Sequence, residues 1–202
     1  MPCTVILGSH LSGKTSQCKS WLSETKQSVE AKRPAKRVML VWVQDKHLRS
    51  RSTSGLQLSP SAFLRAAGFL EYLQDNKNVA VCLVVDDITS SNKNAVFQQA
   101  HRLRCKGAHV CVSMTLPSSP HKRSKFRVDI RCLRPTSLVA LVHNIPTLLL
   151  LTSMMELRMD DAGCDSLVAS VRDARRRTIT VTGHFEKVEK TLDLCFALKS
   201  VV

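Results

Sequence analysis

The sequence has few aromatic residues and no long apolar stretch. Phe, Trp and Tyr make up 4% of the 202 residues, so a core would have to consist mainly of Leu, Val and Ala. The longest apolar stretch, 145–152, contains Pro146 and is much shorter than a membrane-spanning helix. No basic segment precedes the first apolar run, so no signal peptide is predicted. These absences predict a cytoplasmic protein with no membrane partner.

The eight cysteines lack a recognisable pattern. None of them forms a C-x-x-C pair, and their spacing indicates neither a disulfide framework nor a zinc site. Reduced thiols are therefore expected, which is typical of cytosolic proteins.

Positive charge, in contrast, is abundant. The formal net charge is +14, and Lys and Arg cluster in the segments 32–37, 122–134 and 172–177. Such charge attracts nucleic acid, nucleotides or phosphate without distinguishing among them. Solvated loops and helix faces explain the clusters equally well. The clusters are nearly free of aromatic residues on which bases could stack, so nucleic acid is a possible but not a favoured partner.

A phosphate-binding motif lies near the start of the chain. The segment G-S-H-L-S-G-K-T, residues 8–15, fits the pattern G-x-x-x-x-G-K-[ST] between an apolar run and a helical segment. In this pattern the glycines let backbone N–H groups face a phosphate, the lysine reaches the β- and γ-phosphates, and the last hydroxyl holds Mg²⁺. The motif predicts ATP and Mg²⁺ as cofactors, with Thr15 as a metal ligand. The predicted ATP-binding residues are Gly8, Ser9, His10, Leu11, Ser12, Gly13, Lys14 and Thr15.

Apolar strands alternate with helical segments through the first two-thirds of the chain. We expect strands at 4–7, 37–43, 79–85 and 109–114, and helices at 14–26, 61–76 and 95–106. Because the strands show no polar alternation, they predict an α/β fold with a parallel sheet and helices on both faces. Residues 117–135 are rich in basic residues and show no regular pattern, so we expect irregular structure there. We therefore predict a P-loop nucleotide-binding domain over 1–135 and a smaller subdomain over 136–202.

Two adjacent aspartates end the most apolar of these strands, V-A-V-C-L-V-V-D-D. The carboxyl end of a parallel strand in a P-loop fold lies beside the phosphates. Asp86 is therefore a predicted Mg²⁺ ligand, and Asp87 is a predicted catalytic base towards a hydroxyl acceptor. The alternative is that these acidic residues merely begin a turn.

Five segments, in this order along the chain, resemble the type II thymidine kinases, which phosphorylate thymidine with ATP. The resemblance implies an ATP-dependent deoxynucleoside kinase with a small C-terminal lasso-like β subdomain, a nucleoside substrate and a possible homo-oligomer. It also implies that the nucleoside lies along Ile179, Thr180, Val181, Thr182 and Gly183. The segments that carry it are G-S-H-L-S-G-K-T (8–15), L-V-V-D-D (83–87), F-Q-Q-A-H-R-L-R-C-K-G-A-H-V-C-V-S (97–113), F-R-V-D-I-R-C-L-R-P-T-S-L-V-A-L (126–141) and I-T-V-T-G-H-F-E-K-V-E-K-T-L-D-L-C-F (179–196).

The chain also departs from the family pattern. Asp87 stands where the family has a glutamate, and Val188 replaces the tyrosine of the lasso. Of the family's zinc thiolates only Cys195 remains, so no zinc site is expected. Three functions therefore stay open: a thymidine kinase, a catalytically degenerate homologue that serves as a nucleotide-binding or interaction module, and, least favoured, a basic P-loop protein that acts on nucleic acid.

Overall fold

An eight-stranded sheet forms the centre of the protein. The computed structural model describes residues 3–8, 10–45, 55–116, 122–141, 168–172 and 178–182. The helices are α1 (Lys14–Lys32), α2 (Pro60–Asp75), α3 (Lys93–Cys105) and α4 (Arg123–Leu133). The strands are β1 (Cys3–Gly8), β2 (Arg37–Gln44), β3 (Leu56–Leu58), β4 (Val79–Asp86), β5 (His109–Thr115), β6 (Ser137–Leu141), β7 (Val168–Arg172) and β8 (Thr178–Thr182).

Six neighbouring strands of the sheet are parallel. They lie in the order β3-β2-β4-β5-β1-β6, and β8 and β7 follow antiparallel beyond β6. The four segments predicted as strands and the three predicted as helices all form, with ends shifted by a few residues. The predicted parallel sheet is therefore confirmed.

Helices cover both faces of the sheet, as predicted. On one face, Cys18 and Leu22 of α1 pack on Ile6, Trp42 and Val84. On the other face, the helices α2, α3 and α4 bury Phe63, Leu70, Phe97, Leu103, Phe126 and Ile130 against the strands. Burial on both faces explains why the central strands read as continuous apolar runs.

The segment 117–135, which we expected to be irregular, contains the helix α4. Phe126, Ile130 and Leu133 are buried at spacings of four and three residues, which is the period of one helix face. The basic residues between them obscure this period in the sequence. That expectation is therefore wrong for 123–133.

The described part of 136–202 belongs to the same sheet as residues 3–115. β6 pairs in parallel with β1, and β8 pairs antiparallel with β6. The predicted division at 135–136 falls between α4 and β6 and stays a prediction. Gly183, Val188 and Cys195 lie outside the described residues. None of the helices that the structure describes is long and apolar enough to cross a bilayer.

Gly68 gives a test of the packing of α2. It lies inside this helix, and a Cβ atom added there would meet no atom within 4 Å. Gly68→Ala should raise the free energy of unfolding by about 0.5–1 kcal/mol, since alanine loses less backbone entropy in a helix. The measurement is urea denaturation. Gly55→Ala is the control and should destabilise, because its Cβ would lie 2.9 Å from Cβ of Leu40; a lower stability for Gly68→Ala would contradict this packing.

Candidate phosphate-binding site

The motif at 8–15 forms a loop between the carboxyl end of β1 and the first turn of α1. Gly13 has φ of 86° and Leu11 has φ of 60°, so the chain turns through the left-handed region just before the helix begins. The backbone N of Gln17 donates to the carbonyl O of Gly13 at 3.0 Å, which starts the helical hydrogen bonds. A helix N-terminus of this kind attracts anions through its free N–H groups and its dipole.

Gly8 is required by close packing within the loop. An added Cβ atom would overlap the Ser12 hydroxyl and would lie 3.2 Å from Cβ of Leu141. Ser12 therefore folds back directly over the end of β1. His10 and Leu11 are exposed, and Ser9 lies outside the described residues.

Asp86 is held at the carboxyl end of β4 by two hydroxyl groups. Thr15 donates from Oγ1 to Oδ2 of Asp86 at 2.9 Å, and Ser113 donates from Oγ to Oδ1 at 2.5 Å. The Asp86 side chain is buried, with 7% of its surface exposed. The motif threonine and the strand-end aspartate, 71 residues apart in sequence, are thus direct neighbours.

A hydroxyl and a carboxylate oxygen suit Mg²⁺, which prefers oxygen ligands. Among the residues that the structure describes, no group of three or more His, Cys, Asp or Glu side chains could hold a metal ion. Mg²⁺ in nucleotide sites typically takes one or two protein oxygens, and phosphates and water supply the others. Thr15 and Asp86 fit that requirement.

Asp87 lies next to the motif lysine. Its Oδ2 is 3.6 Å from Nζ of Lys14, a side chain that is itself 6% exposed. Both carboxylate oxygens of Asp87 accept from the Thr115 hydroxyl, at 2.9 and 2.7 Å, and Oδ1 also accepts from the Thr115 backbone N at 3.0 Å. The site thus brings together Lys14, Thr15, Asp86 and Asp87.

The backbone of Asp87 leaves the strand sharply, with φ of 48°. Its N–H donates to Ser113, to the backbone O at 3.2 Å and to Oγ at 3.0 Å. The next turn is tied to Asp45, whose Oδ2 accepts from Thr89 at 2.6 and 2.7 Å and from the Ser90 N–H at 3.1 Å. Burial raises the pKa of the Asp45 carboxyl, but these hydrogen bonds outweigh burial and hold its pKa below the usual value.

Ser113 and Thr115 are site residues that the sequence reasoning missed. They reach the site because β5 lies between β1 and β4 in the sheet. Alternation along a strand puts both side chains on one face. One feature of the sequence could have indicated their role: two hydroxyl residues, two positions apart, end an otherwise apolar strand.

Gln44 also borders the site, and its position there was not predicted from the sequence. It is the register partner of Asp86 on the neighbouring strand and is 8% exposed. The indole Nε1 of Trp42 donates to Gln44 Oε1 at 3.1 Å. Because an indole N–H can only donate, the contact fixes the orientation of the amide. The Gln44 Nε2 group is buried and has no hydrogen-bond partner within the described ranges.

Four of the five predicted nucleoside-binding residues lie in a strand that does not adjoin the strands of this group. Ile179, Thr180, Val181 and Thr182 lie in β8, which is separated from β1 by β6. Thr178 pairs with Leu141 at the carboxyl edge, and Thr182 pairs with Ser137 at the opposite edge, so the strand runs away from the loop. Their role at a nucleoside stays a prediction.

The six parallel strands flanked by helices, with the loop at 8–15 between β1 and α1, form an α/β fold that is consistent with a P-loop-like class. No protein-family model matches the chain, and no curated protein matches it. Among solved structures the chain is similar to C. elegans PCH-2, with 20% identity and a TM-score of 0.46 over 78% of this chain. The match covers 40% of the PCH-2 chain, so this chain spans less than half of its length. A likeness at this level carries no argument about activity.

Proposed function

We propose that the protein binds ATP with Mg²⁺ at residues 8–15 and transfers the γ-phosphoryl group to a deoxynucleoside, with thymidine as the first candidate. The observation that carries the proposal is the convergence of Lys14, Thr15, Asp86 and Asp87 at one edge of the sheet. The thymidine assignment rests on the resemblance to the type II thymidine kinases.

Each side chain has a role that follows from its position. Lys14 is buried at the start of α1 and would neutralise the β- and γ-phosphates. Thr15 and Asp86 would hold Mg²⁺, which supplies charge stabilisation for the transferred group. Asp87 would accept the proton of the 5′-hydroxyl, since one-third of its side chain is exposed to an approaching substrate.

A second candidate is a nucleotide-binding module without transfer. This candidate is supported by the contacts of the Asp87 carboxylate. The Thr115 hydroxyl donates to both of its oxygens, and Lys14 lies beside it. These contacts already hold the carboxylate in place, so a structural role can account for Asp87 without a transfer step. The phosphate loop itself does not depend on that step.

An assay of phosphate transfer from labelled ATP to a panel of deoxynucleosides separates the two candidates. For the kinase we expect transfer, and Asp87→Asn should lower it by about 10²–10⁴-fold while ATP affinity is kept. Glu30→Gln is the matched control, since Glu30 is an exposed carboxylate paired with Lys26 and lies outside the site. Absence of transfer from the unaltered protein to every deoxynucleoside would overturn the kinase. Thermal stabilisation by Mg-ATP in that case would support the module.

A further inference from the structure

A second concave site lies at the edge of the sheet opposite the phosphate loop. A cavity of about 690 Å³ opens between the last turns of α1 and the amino ends of β4 and β5. Part of the cavity wall is formed by Ala80 of β4, His109 of β5 and Trp21 of α1. Ligand pockets typically have volumes of roughly 300–1,000 Å³, so the cavity suits a small molecule of nucleotide size.

Cations from separate segments of the chain line this cavity. Lys32, Arg33 and Lys36 come from the end of α1 and the turn after it, and Lys77 comes from the turn between α2 and β4. None of these four has a carboxylate partner within 4.0 Å in the part of the chain that the structure describes. The cluster therefore has positive charge available for a ligand.

The other charges of the wall do not cancel this cluster. Lys106 is already neutralised, since its Nζ lies 2.8 Å from Asp75 and 3.3 Å from Glu71. Glu24 is the remaining acidic residue of the lining. The positive field reaches the cavity wall: burial lowers the pKa of His109, and the charges of the amino terminus, Arg33 and Lys32 lower it further.

Helix stability explains only part of the cluster. A cation in the last turn of a helix interacts favourably with the helix dipole, which accounts for Lys32. It does not account for Lys36 or Lys77, which lie in turns outside α1. Trp21 also has a fixed position, because its Nε1 donates to Thr4 Oγ1 at 3.2 Å. A held aromatic ring beside several cations matches a base and its phosphates.

We propose that this cavity is a second, independent site that binds a nucleotide, with the phosphates against Lys32, Arg33, Lys36 and Lys77 and the base near Trp21. The site does not depend on the proposed function. It faces away from the loop at 8–15, so occupancy of one site leaves the other accessible.

The test uses the full chain carrying Lys14→Ala, which removes the main cation of the phosphate loop. Calorimetric titration with ATP, without Mg²⁺, should still show binding in this background. Adding Lys32→Ser and Arg33→Ser should weaken that binding by about tenfold or more, the equivalent of roughly 1.4 kcal/mol. The control adds Lys122→Ser and Lys125→Ser instead, which removes two exposed positive charges outside the cavity.

Several outcomes would overturn the proposal. ATP binding that is equal in the Lys32/Arg33 variant and the Lys122/Lys125 variant would show that net charge alone is responsible. Equal affinity for ATP and inorganic triphosphate would overturn the assignment to a nucleotide. Tighter binding of an oligodeoxythymidine than of ATP would assign the surface to nucleic acid. Thermal denaturation of each variant establishes that it is folded.

Discussion

Lys14→Ala is expected to remove the Mg²⁺-dependent component of ATP binding, lowering affinity by about 10²-fold or more. The side chain is 6% exposed and lies at the first residue of α1, where phosphates would meet both its charge and the helix dipole. A buried ammonium group has little water to compete with, so its loss is not compensated by solvent. Isothermal titration with ATP, with and without Mg²⁺, measures the effect.

Lys26→Ala is the matched control for this prediction. Lys26 lies on the same helix, but its side chain is 43% exposed and pairs only loosely with Glu30, at 3.8 Å. Exposed pairs of this spacing contribute about 0.3–0.5 kcal/mol, so ATP binding should be unchanged and stability nearly so. Equal ATP affinities for Lys14→Ala and Lys26→Ala would exclude the loop as the phosphate site.

Asp86→Asn is expected to remove the dependence on Mg²⁺ while leaving the fold intact. Asparagine has nearly the same shape, and its one oxygen can still accept from Ser113 or Thr15. The lost negative charge, however, is what attracts the metal ion, and we expect ATP-dependent activity to fall by about 10²–10³-fold. Titration with Mg²⁺ at fixed ATP, read by phosphate transfer or by ATP binding, measures the change.

Stability should respond in the opposite direction to activity. The Asp86 carboxylate is 7% exposed, and burial of a charge is costly even when it accepts hydrogen bonds. The free energy of unfolding of Asp86→Asn should therefore equal or exceed that of the unaltered protein, a common trade at functional sites. A variant that unfolds more easily and keeps its response to Mg²⁺ would contradict a metal-binding role.

The parts of the fold that were predictable are those that local sequence determines. β4 reads as a continuous apolar run because both of its faces are covered, and the turn from β1 into α1 is determined by Gly8 and Gly13. The helix α4 was missed because basic residues separate Phe126, Ile130 and Leu133. Three apolar positions at helical spacing were present, but the surrounding charge concealed them.

The contacts of the site depend on strand order, which the sequence does not determine locally. Asp86 and Thr15 were both predicted as Mg²⁺ ligands, whereas Ser113 and Thr115 were not assigned to the site, because nothing near them indicates that β5 lies between β1 and β4. Gln44 could not be assigned to the site for the same reason, since its proximity to Asp86 follows from the pairing of β2 with β4. Because β1, β4 and β5 are all buried almost throughout, their composition does not distinguish one strand order from another.

A crystal structure with Mg²⁺ and a non-hydrolysable ATP analogue is the most direct test of phosphate binding at residues 8–15. We expect the triphosphate to lie against the N-terminus of α1, with Nζ of Lys14 in contact with the β- and γ-phosphates and the metal beside Thr15 and Asp86. Triphosphate density only at Lys32 and Arg33, with none at residues 8–15, would contradict it.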